Sequence, residues 1–424
     1  MSKQFLFTVL CVGACLALGV ATAAQAADET VNGSPFHVKG SSKVQSIVED
    51  NDDFGTSTNE LTESYSADVK LGVGIDIAPS WDAYLEGRAL KAFGALGSES
   101  DTGSQTAVAK FLEWRQSWIR YSDVGGLTGL DIQAGRQRIR EDRSLWWNKD
   151  FDAVRVNYDS TVLKGFVGVG ENLRSYRSSH DDFNEDQQDR LRLMAEGSWL
   201  MTPQYRFDVR GLYEDDHSGD DHIGDLFSDG NVDGEDQNLF WGGFRASGTF
   251  EPTQSAVSAL KYRVDGIIVT GEEKLITTTA AGTGLRSVSD VQDLDVFGYA
   301  VDASADLTVE APLKPTFTLG YAFGSGDDDA NDGTDHEFRQ SDLHGNTSRL
   351  GMSSSTIHNY GEVLRPELGN LHVVTAGVGI PMLAASDVNL VYHYYRLADK
   401  SSDPRSIHLS GSTNGDDAYL GQEV

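Results

Sequence analysis

The side chains with the clearest chemical capacity in this sequence are arginines and lysines placed next to apolar residues. Arg263, for example, lies between Tyr262 and Val264. A guanidinium presents its N–H donors in a rigid fork that fits a carboxylate in a bidentate way, whereas a lysine ammonium acts as a point charge. Several such groups facing one passage would attract and orient anions. The candidate anion-binding positions are Lys39, Arg88, Arg115, Arg136, Arg138, Arg140, Arg155, Arg192 and Arg263.

The elements that must position these side chains repeat with a period of two. In the segment 67–77, Val69, Leu71 and Val73 fall on one face, and Asp68 and Lys70 fall on the other. Ten to twelve residues of such alternation are typical of a tilted β-strand that crosses a bilayer. We count about fifteen segments of this kind, with weaker registers near 237–250 and 293–309.

The connections between these segments alternate in length. Short connections are expected near 78–80, 124–129, 159–161, 201–204, 251–256, 310–314 and 382–386, and long ones near 50–62, 93–106, 141–150, 172–188, 214–236, 271–292, 324–368 and 397–417. Outer-membrane barrels have short turns on the periplasmic side and long loops outside. A soluble β-sandwich is the alternative, but it does not require this alternation. We predict an all-β fold, a transmembrane antiparallel β-barrel over residues 27–424, surrounded by outer-membrane lipid and lipopolysaccharide.

The first 26 residues predict a cleaved signal peptide. Lys3 precedes an apolar run over residues 5–21, and Ala24-Gln25-Ala26 has the small-x-small pattern of a cleavage site. A lipoprotein signal at Cys15 is the alternative. Both cysteines lie within this segment, so the predicted mature chain has none. No other segment has 18 uninterrupted apolar residues, so no transmembrane helix is expected.

The net charge of −31 argues against nucleic acid as a partner. The acids gather in the predicted long loops, whereas bases dominate the polar strand faces. Since an arginine facing lipid costs about 2–4 kcal/mol, these arginines predict a basic lumen. Alternatively, they are neutralised by Glu86, Glu113, Glu196, Asp208 and Asp265. Asp327, Asp329 and Asp332 are weak calcium-ligand candidates without EF-hand spacing, and a solvated loop is the simpler interpretation. No cofactor is predicted.

The densest basic stretch, Gly135 to Arg143, conflicts with strict alternation. Ile132 and Ala134 share the parity of Arg136, Arg138 and Arg140, so an unbroken strand would place these arginines in lipid. We expect either a β-bulge near Gly135, which would reverse the register, or a strand that has already left the membrane.

This stretch resembles the alginate export family, outer-membrane exporters of anionic exopolysaccharide. The matching residues are 135–142 with Trp146, Asp152 and Ala153, then 361–371, then 419–424. The resemblance implies an 18-stranded monomeric barrel whose basic constriction passes polyuronate. It places constriction positions on Lys39, Arg115 and Arg138, with Arg136 and Arg140 beside them.

Some positions depart from the family pattern. Ala78 replaces an arginine, Asn148 replaces an acid, and Thr347 and Thr356 replace bases. Arg88 is expected to compensate for Ala78, because both flank the same predicted turn. The resemblance also leads us to expect that only 15–16 of the 18 strands are present and that the chain is truncated at its carboxyl end.

The leading functional hypothesis is passive export of an anionic polysaccharide such as alginate, with periplasmic export scaffold proteins as further candidate partners. The alternative is an anion-selective porin for uptake of small uronates, oligosaccharides or other anions. A barrel enzyme is the third hypothesis. We expect no enzymatic activity, because the sequence contains no Gly-x-Ser-x-Gly motif and His37, His358, His372 and His393 show no catalytic spacing.

Overall fold

The computed structural model describes residues 23–30, 35–50, 61–94, 108–173, 176–179, 189–216, 222–228, 235–253, 256–329, 332–353, 355–383, 386–405 and 418–424. The strands are β1 (Ala23–Thr30), β2 (Phe36–Asp50), β3 (Leu61–Ala78), β4 (Trp81–Phe93), β5 (Val108–Tyr121), β6 (Leu130–Arg140), β7 (Asn148–Asp159), β8 (Leu163–Glu171), β9 (Arg190–Thr202), β10 (Tyr205–Asp216), β11 (Leu226–Ser228), β12 (Glu235–Phe250), β13 (Val257–Gly282), β14 (Leu285–Val309), β15 (Thr316–Gly324), β16 (Thr334–Asp335), β17 (Thr347–Ser348), β18 (Ile357–His358), β19 (Leu371–Leu383), β20 (Ser386–Leu397) and β21 (Tyr419–Glu423). A 3-10 turn spans Val124–Gly126.

One antiparallel sheet runs through the chain from β1 to β21. Each long strand pairs with the next, and the short strands β11 and β16 both pair with β14. In the described ranges, fifteen strands from β2 to β20 have nine or more residues. The predicted all-β antiparallel architecture is therefore confirmed. No pairing between β1 and β21 occurs within the residues described.

The two faces of the sheet have opposite chemistry, which identifies the surrounding medium. Leu112 and Val167 are both 66% exposed on the outer face, whereas Arg192 and Asp265 on the inner face are fully buried. A soluble sandwich would place its apolar side chains inside instead. An apolar outer band around a charged interior is the arrangement of an outer-membrane β-barrel. No helix in the described ranges has the length and apolar composition that crossing a membrane requires.

The predicted long connection near 271–292 is wrong. β13 and β14 pair from Val257↔Val309 to Gly282↔Leu285, so they form one tall hairpin. β-Branched residues fill this stretch, including Ile276 and the threonines that follow it, and such residues favour strands. The weaker registers near 237–250 and 293–309 also belong to continuous strands, β12 and β14.

The amino-terminal prediction falls mostly outside the described residues. Residues 1–22 are not described, and β1 begins at Ala23 and pairs with β2. The signal peptide over residues 1–26 remains a prediction.

Two segments fold into the interior of the sheet. One is the end of the β6–β7 hairpin, and the other is the connection between β15 and β19, residues 325–370, called the lumen segment below. Trp147 and Phe151 of the hairpin share an apolar core with Phe338 of the lumen segment and with Met194 and Leu212 of the wall. The inward fold therefore rests on a packed core, which brings the basic motif into the lumen.

Candidate functional site

A β-bulge on β5 sets the direction of the first functional arginine. The β4–β5 register shifts between Glu86↔Gln116 and Gly87↔Trp114, which leaves Arg115 as the extra residue. The parity reverses there. Trp114 faces outward, whereas Trp118, which unbroken alternation would place on the same face, stacks on Tyr84 with ring centroids 5.5 Å apart. A β-bulge is thus present on β5, where none was predicted.

The strand that carries the arginine motif leaves the wall at Gly135. β5 pairs with β6 only as far as Ser117↔Arg136, and the β6–β7 register contains no bulge, so the bulge predicted near Gly135 is wrong. Beyond that point, Trp114 N–H donates to the Tyr176 carbonyl at 2.9 Å, so another segment takes the place of β6 beside β5. Gly135 has a φ of +118°, which side-chain-bearing residues rarely adopt. The alternative prediction, that the strand has left the membrane layer, describes the structure.

The end of the β6–β7 hairpin folds inward and places two arginines beside one carboxylate. Arg115 Nε donates to Asp150 Oδ2 at 2.7 Å, and its Nη1 lies 3.2 Å from Glu86 Oε1. Arg138 Nη1 lies 3.3 Å from the other oxygen of Asp150. Arg138 Nη2 also donates to Asn148 Oδ1 at 2.6 Å. Two of the predicted constriction residues are therefore brought together, with Asp150 between them.

Arg136 lies beside this group on a different carboxylate. Its Nη1 is 3.2 Å from Asp152 Oδ2, and its guanidinium stacks 3.8 Å from the centre of the Tyr176 ring. The Tyr176 hydroxyl donates to Asp152 at 2.6 Å. Arg136 is thus held by both charge and ring contact, and its side chain is buried.

Arg88 does not compensate for Ala78. Ala78 pairs with Trp81 at the turn, whereas Arg88 pairs with Lys70, seven residues further along β4. Arg88 instead bridges Asp68 at 3.0 Å and Glu113 at 3.2 Å. The error arose because a 13-residue strand carries its far positions well away from the turn.

The remaining predicted wall arginines have neighbours on adjacent strands. Arg192 is bonded to Glu214, and both side chains are buried. Arg263 donates to Ser304 Oγ at 2.8 Å and lies 3.4 Å from Asp265. Arg155 is 3.5 Å from Gln133 and 5.3 Å from the Phe166 ring. Lys39 is exposed on β2, opposite Gly72. Much of the wall therefore matches the alternative in which strand carboxylates balance the arginines.

Sequence reasoning missed the pairs that anchor the hairpin end to the opposite wall. Glu141 Oε2 accepts from Arg245 Nη1 at 2.6 Å, and Arg143 Nη2 lies 2.7 Å from Asp302. Burial raises the pKa of Glu141, but the nearby Arg245 guanidinium outweighs it and lowers that pKa to about 2. The weak register near 237–250 hid the inward direction of Arg245, since only alternation could have revealed it.

The lumen segment covers the hairpin end from the inside. Asn148 N–H donates to the Leu343 carbonyl at 2.6 Å, and Gly345 N–H donates to the Ser144 carbonyl at 2.8 Å. Trp241 Nε1 of the wall donates to the Arg339 carbonyl at 2.8 Å. Backbone bonds to both the hairpin and the wall therefore hold the lumen segment inside.

A cavity of about 900 Å³ opens below these segments, at the short-turn end. Its wall reaches Pro203 and Gln204 in the β9–β10 turn. Seven basic and four acidic residues line it; the basic ones are Arg140, Arg143, Arg206, Arg245, Lys261, Arg263 and Arg349. Among the described residues, Arg140, Lys261 and Arg349 have no carboxylate within ion-pair distance, and all three are exposed. Three cations therefore stand uncompensated at this cavity, which we call the basic cavity.

The opposite, long-loop end of the lumen is acidic. A second cavity there is lined by Asp216, Asp236, Glu272, Glu273, Asp293 and Asp295, with Lys274 as its basic residue. The calcium candidates lie elsewhere. Asp327 is buried, and Asp332 accepts the Thr334 N–H at 2.9 Å. Within the described ranges, no three acidic, histidine or cysteine side chains are arranged to hold a metal ion. The calcium site at Asp327, Asp329 and Asp332 remains a prediction.

Comparisons with known proteins find a family, relatives in sequence and similar solved structures. The family model described as "Alginate export" matches residues 35–424. The alginate production protein AlgE of Pseudomonas aeruginosa is 26% identical over 88% of this chain and 82% of its own length. AlgE of Pseudomonas syringae pv. tomato is 26% identical over 84% and 73%. The structure of Salmonella typhi OmpF complexed with daunomycin aligns over 91% of this chain and 96% of its own, with a TM-score of 0.44 and 10% identity. This outer-membrane β-barrel chain is a member of the alginate export family.

Proposed function

We propose that the chain is a passive export channel whose basic, anion-selective lumen passes an anionic polysaccharide such as alginate. The observation that carries the proposal is the basic cavity at the short-turn end, with Arg140, Lys261 and Arg349 uncompensated by carboxylates within the described residues. Short turns face the periplasm in outer-membrane barrels, so a polymer arriving from the periplasm would meet this cavity first.

The arginine group around Asp150 supplies the next contacts. Arg115 and Arg138 share one carboxylate between them, so they have N–H donors left for another. A uronate carboxylate could approach the pair while Asp150 keeps them in place. Arginines that are already paired with a carboxylate bind an incoming anion more weakly than unpaired arginines do. Weak binding suits a channel, because the polysaccharide must also dissociate from each site.

The acidic charge at the long-loop end fits the same direction of transport. A polyanion leaving the lumen would be repelled from re-entering a cavity lined by Asp216, Glu272 and Asp293. A channel for uptake of small anions would benefit from basic residues at its outer mouth instead. The charge distribution therefore favours export over uptake.

The test is ion selectivity in planar lipid bilayers. We expect the wild type to prefer chloride over potassium under a salt gradient, and the double variant R115Q/R138Q to lose part of that preference because Asp150 is then unbalanced. Lys164→Gln is the matched control, since Lys164 is an exposed cation paired with Asp159 beside the β7–β8 turn and does not line the basic cavity. A wild-type protein that prefers potassium, or a double variant as anion-selective as the control, would refute the basic lumen.

A further inference from the structure

The lumen segment carries a small hairpin that reaches down to the basic cavity. β17 pairs with β18 through Thr347↔His358 and Ser348↔Ile357. The described residues of this inner hairpin, 347–353 and 355–358, place Arg349 and Thr356 on the cavity wall. The contacts that hold the root of the inner hairpin in place therefore also determine the position of Arg349, one of the three uncompensated cations of the basic cavity.

The root of the inner hairpin ends in three backbone N–H groups that converge on one carboxylate. Glu423, on β21, accepts from the N–H of Glu362 at 2.7 Å, Val363 at 3.3 Å and Leu364 at 3.2 Å. Successive N–H groups that point into one concavity form an anion-binding nest, and a full negative charge gives charge-assisted bonds there. Here the anion belongs to the protein itself.

The backbone at this point is shaped for the carboxylate. Gly361 has a φ of +108°, and a side chain there would overlap both the Tyr395 hydroxyl and the Glu423 carboxylate. The neighbouring carbonyl of Tyr360 accepts from Tyr395 Oη at 2.8 Å. The Tyr360 hydroxyl in turn donates to Asp302 of β14 at 2.8 Å. The root therefore contacts β14 and β20 through neutral donors, and β21 through one charged acceptor.

We propose that Glu423 is a positioning residue whose carboxylate locks the root of the inner hairpin to the barrel wall and so holds Arg349 over the basic cavity. The effect of the Arg349 position on transport rests on the proposed function. The contact between Glu423 and the root of the inner hairpin does not depend on that function. A chain that loses the carboxylate leaves three N–H groups facing one another without an acceptor, which favours local opening of the hairpin.

The first test compares Glu423→Ala and Glu423→Gln with Glu310→Gln in planar bilayers. Glu310 is an exposed acid next to the β14–β15 turn and serves as the matched control. We expect E423A to raise single-channel conductance roughly two-fold and to add current fluctuations, because the hairpin can leave the passage. E423Q should lie between, since its amide oxygen accepts an N–H but its NH₂ opposes the nest. The control should match the wild type.

A reversible disulfide distinguishes movement of the inner hairpin from a general loosening of the barrel. An ideal Cβ on Gly351 would lie 3.9 Å from Thr318 Cβ on β15, which is within the range of a disulfide, although the φ of +59° at Gly351 strains a cysteine there. Both native cysteines lie in residues 1–26, so an introduced pair has no competitor in the predicted mature chain. In the variant G351C/T318C/E423A, oxidation should restore wild-type conductance, and reduction should release it.

Wild-type conductance in both folded Glu423 variants overturns the proposal, and so does raised conductance that the formed disulfide leaves unchanged. Folding is read from the heat-modifiable shift on electrophoresis, and E423Q serves if E423A fails to fold. Block of the wild type by polyuronate reports on the proposed function separately. A wild type that is not blocked, together with a conductive E423A, would defeat the function but leave the lock standing.

Discussion

Removing two uncompensated cations from the basic cavity should change ion selectivity by an amount that the geometry sets. The perturbation is the double variant K261Q/R349Q, at two exposed residues of a cavity of about 900 Å³. A charge on the wall of a sphere of that size lies about 6 Å from its centre, where Coulomb's law in water gives about 0.7 kcal/mol. Screening at 0.1 M salt lowers this interaction to about 0.4 kcal/mol.

Removing one wall charge raises the free energy of an anion in the cavity by that amount and lowers the free energy of a mobile cation equally. The difference between the two ions therefore changes by about 0.8 kcal/mol. Two charges then shift the anion-to-cation preference about 15-fold. The assay is the reversal potential in planar bilayers under a potassium chloride gradient, with K164Q as control. The shift should shrink in 1 M salt, where the Debye length is about 3 Å. A double variant as selective as the control, or a shift insensitive to salt, would refute the reasoning.

Three further predictions concern the charges within the barrel. Asp150→Asn should strengthen block by soluble polyuronate, measured as a longer blocked dwell time, because Arg138 then loses its carboxylate partner and Arg115 keeps only Glu86. Arg192→Ala should destabilise the barrel in urea titrations by less than the roughly 3–5 kcal/mol that an unpaired buried charge costs, since Arg190 Nη1 stays 3.6 Å from Glu214, and a milder loss in the double variant R192M/E214L is expected. Burial raises the pKa of Glu337 to about 7, so its protonated form favours the folded lumen segment and that contribution is lost as pH rises through 7. After correction for the intrinsic base-catalysed exchange rate, the protection of amides in the lumen segment should therefore fall between about pH 4.5 and about pH 7 in the wild type but not in E337Q.

Alternation was enough to predict the sheet because it is a local property of each strand. Leu112 and Val167 face outward as their parity requires. The loop near 271–292 was misjudged because its charged residues, such as Glu272 and Asp290, suggested a solvated connection, whereas they lie on the paired strands β13 and β14. Charged side chains indicate that a segment is exposed to water, but they do not indicate where a strand ends.

The candidate site depended on contacts that no local pattern contains. The sequence indicated that Arg136, Arg138 and Arg140 break alternation, but it could not decide how. The answer lies in the departure of β6 from the wall after Arg136, where its pairing with β5 ends. The pairing of Glu141 with Arg245 likewise joins residues about a hundred positions apart, so only the folded chain reveals it.

The most direct test of the account is whether a polyuronate passes through the channel. Oligouronates of defined length, added on the short-turn side, should interrupt the single-channel current, and the interruptions should shorten as the driving voltage rises, because the chain is pulled through. A neutral dextran of equal length should produce few such events. Interruptions that lengthen with voltage, or equal interruption by dextran, would contradict export of an anionic polysaccharide through this basic lumen.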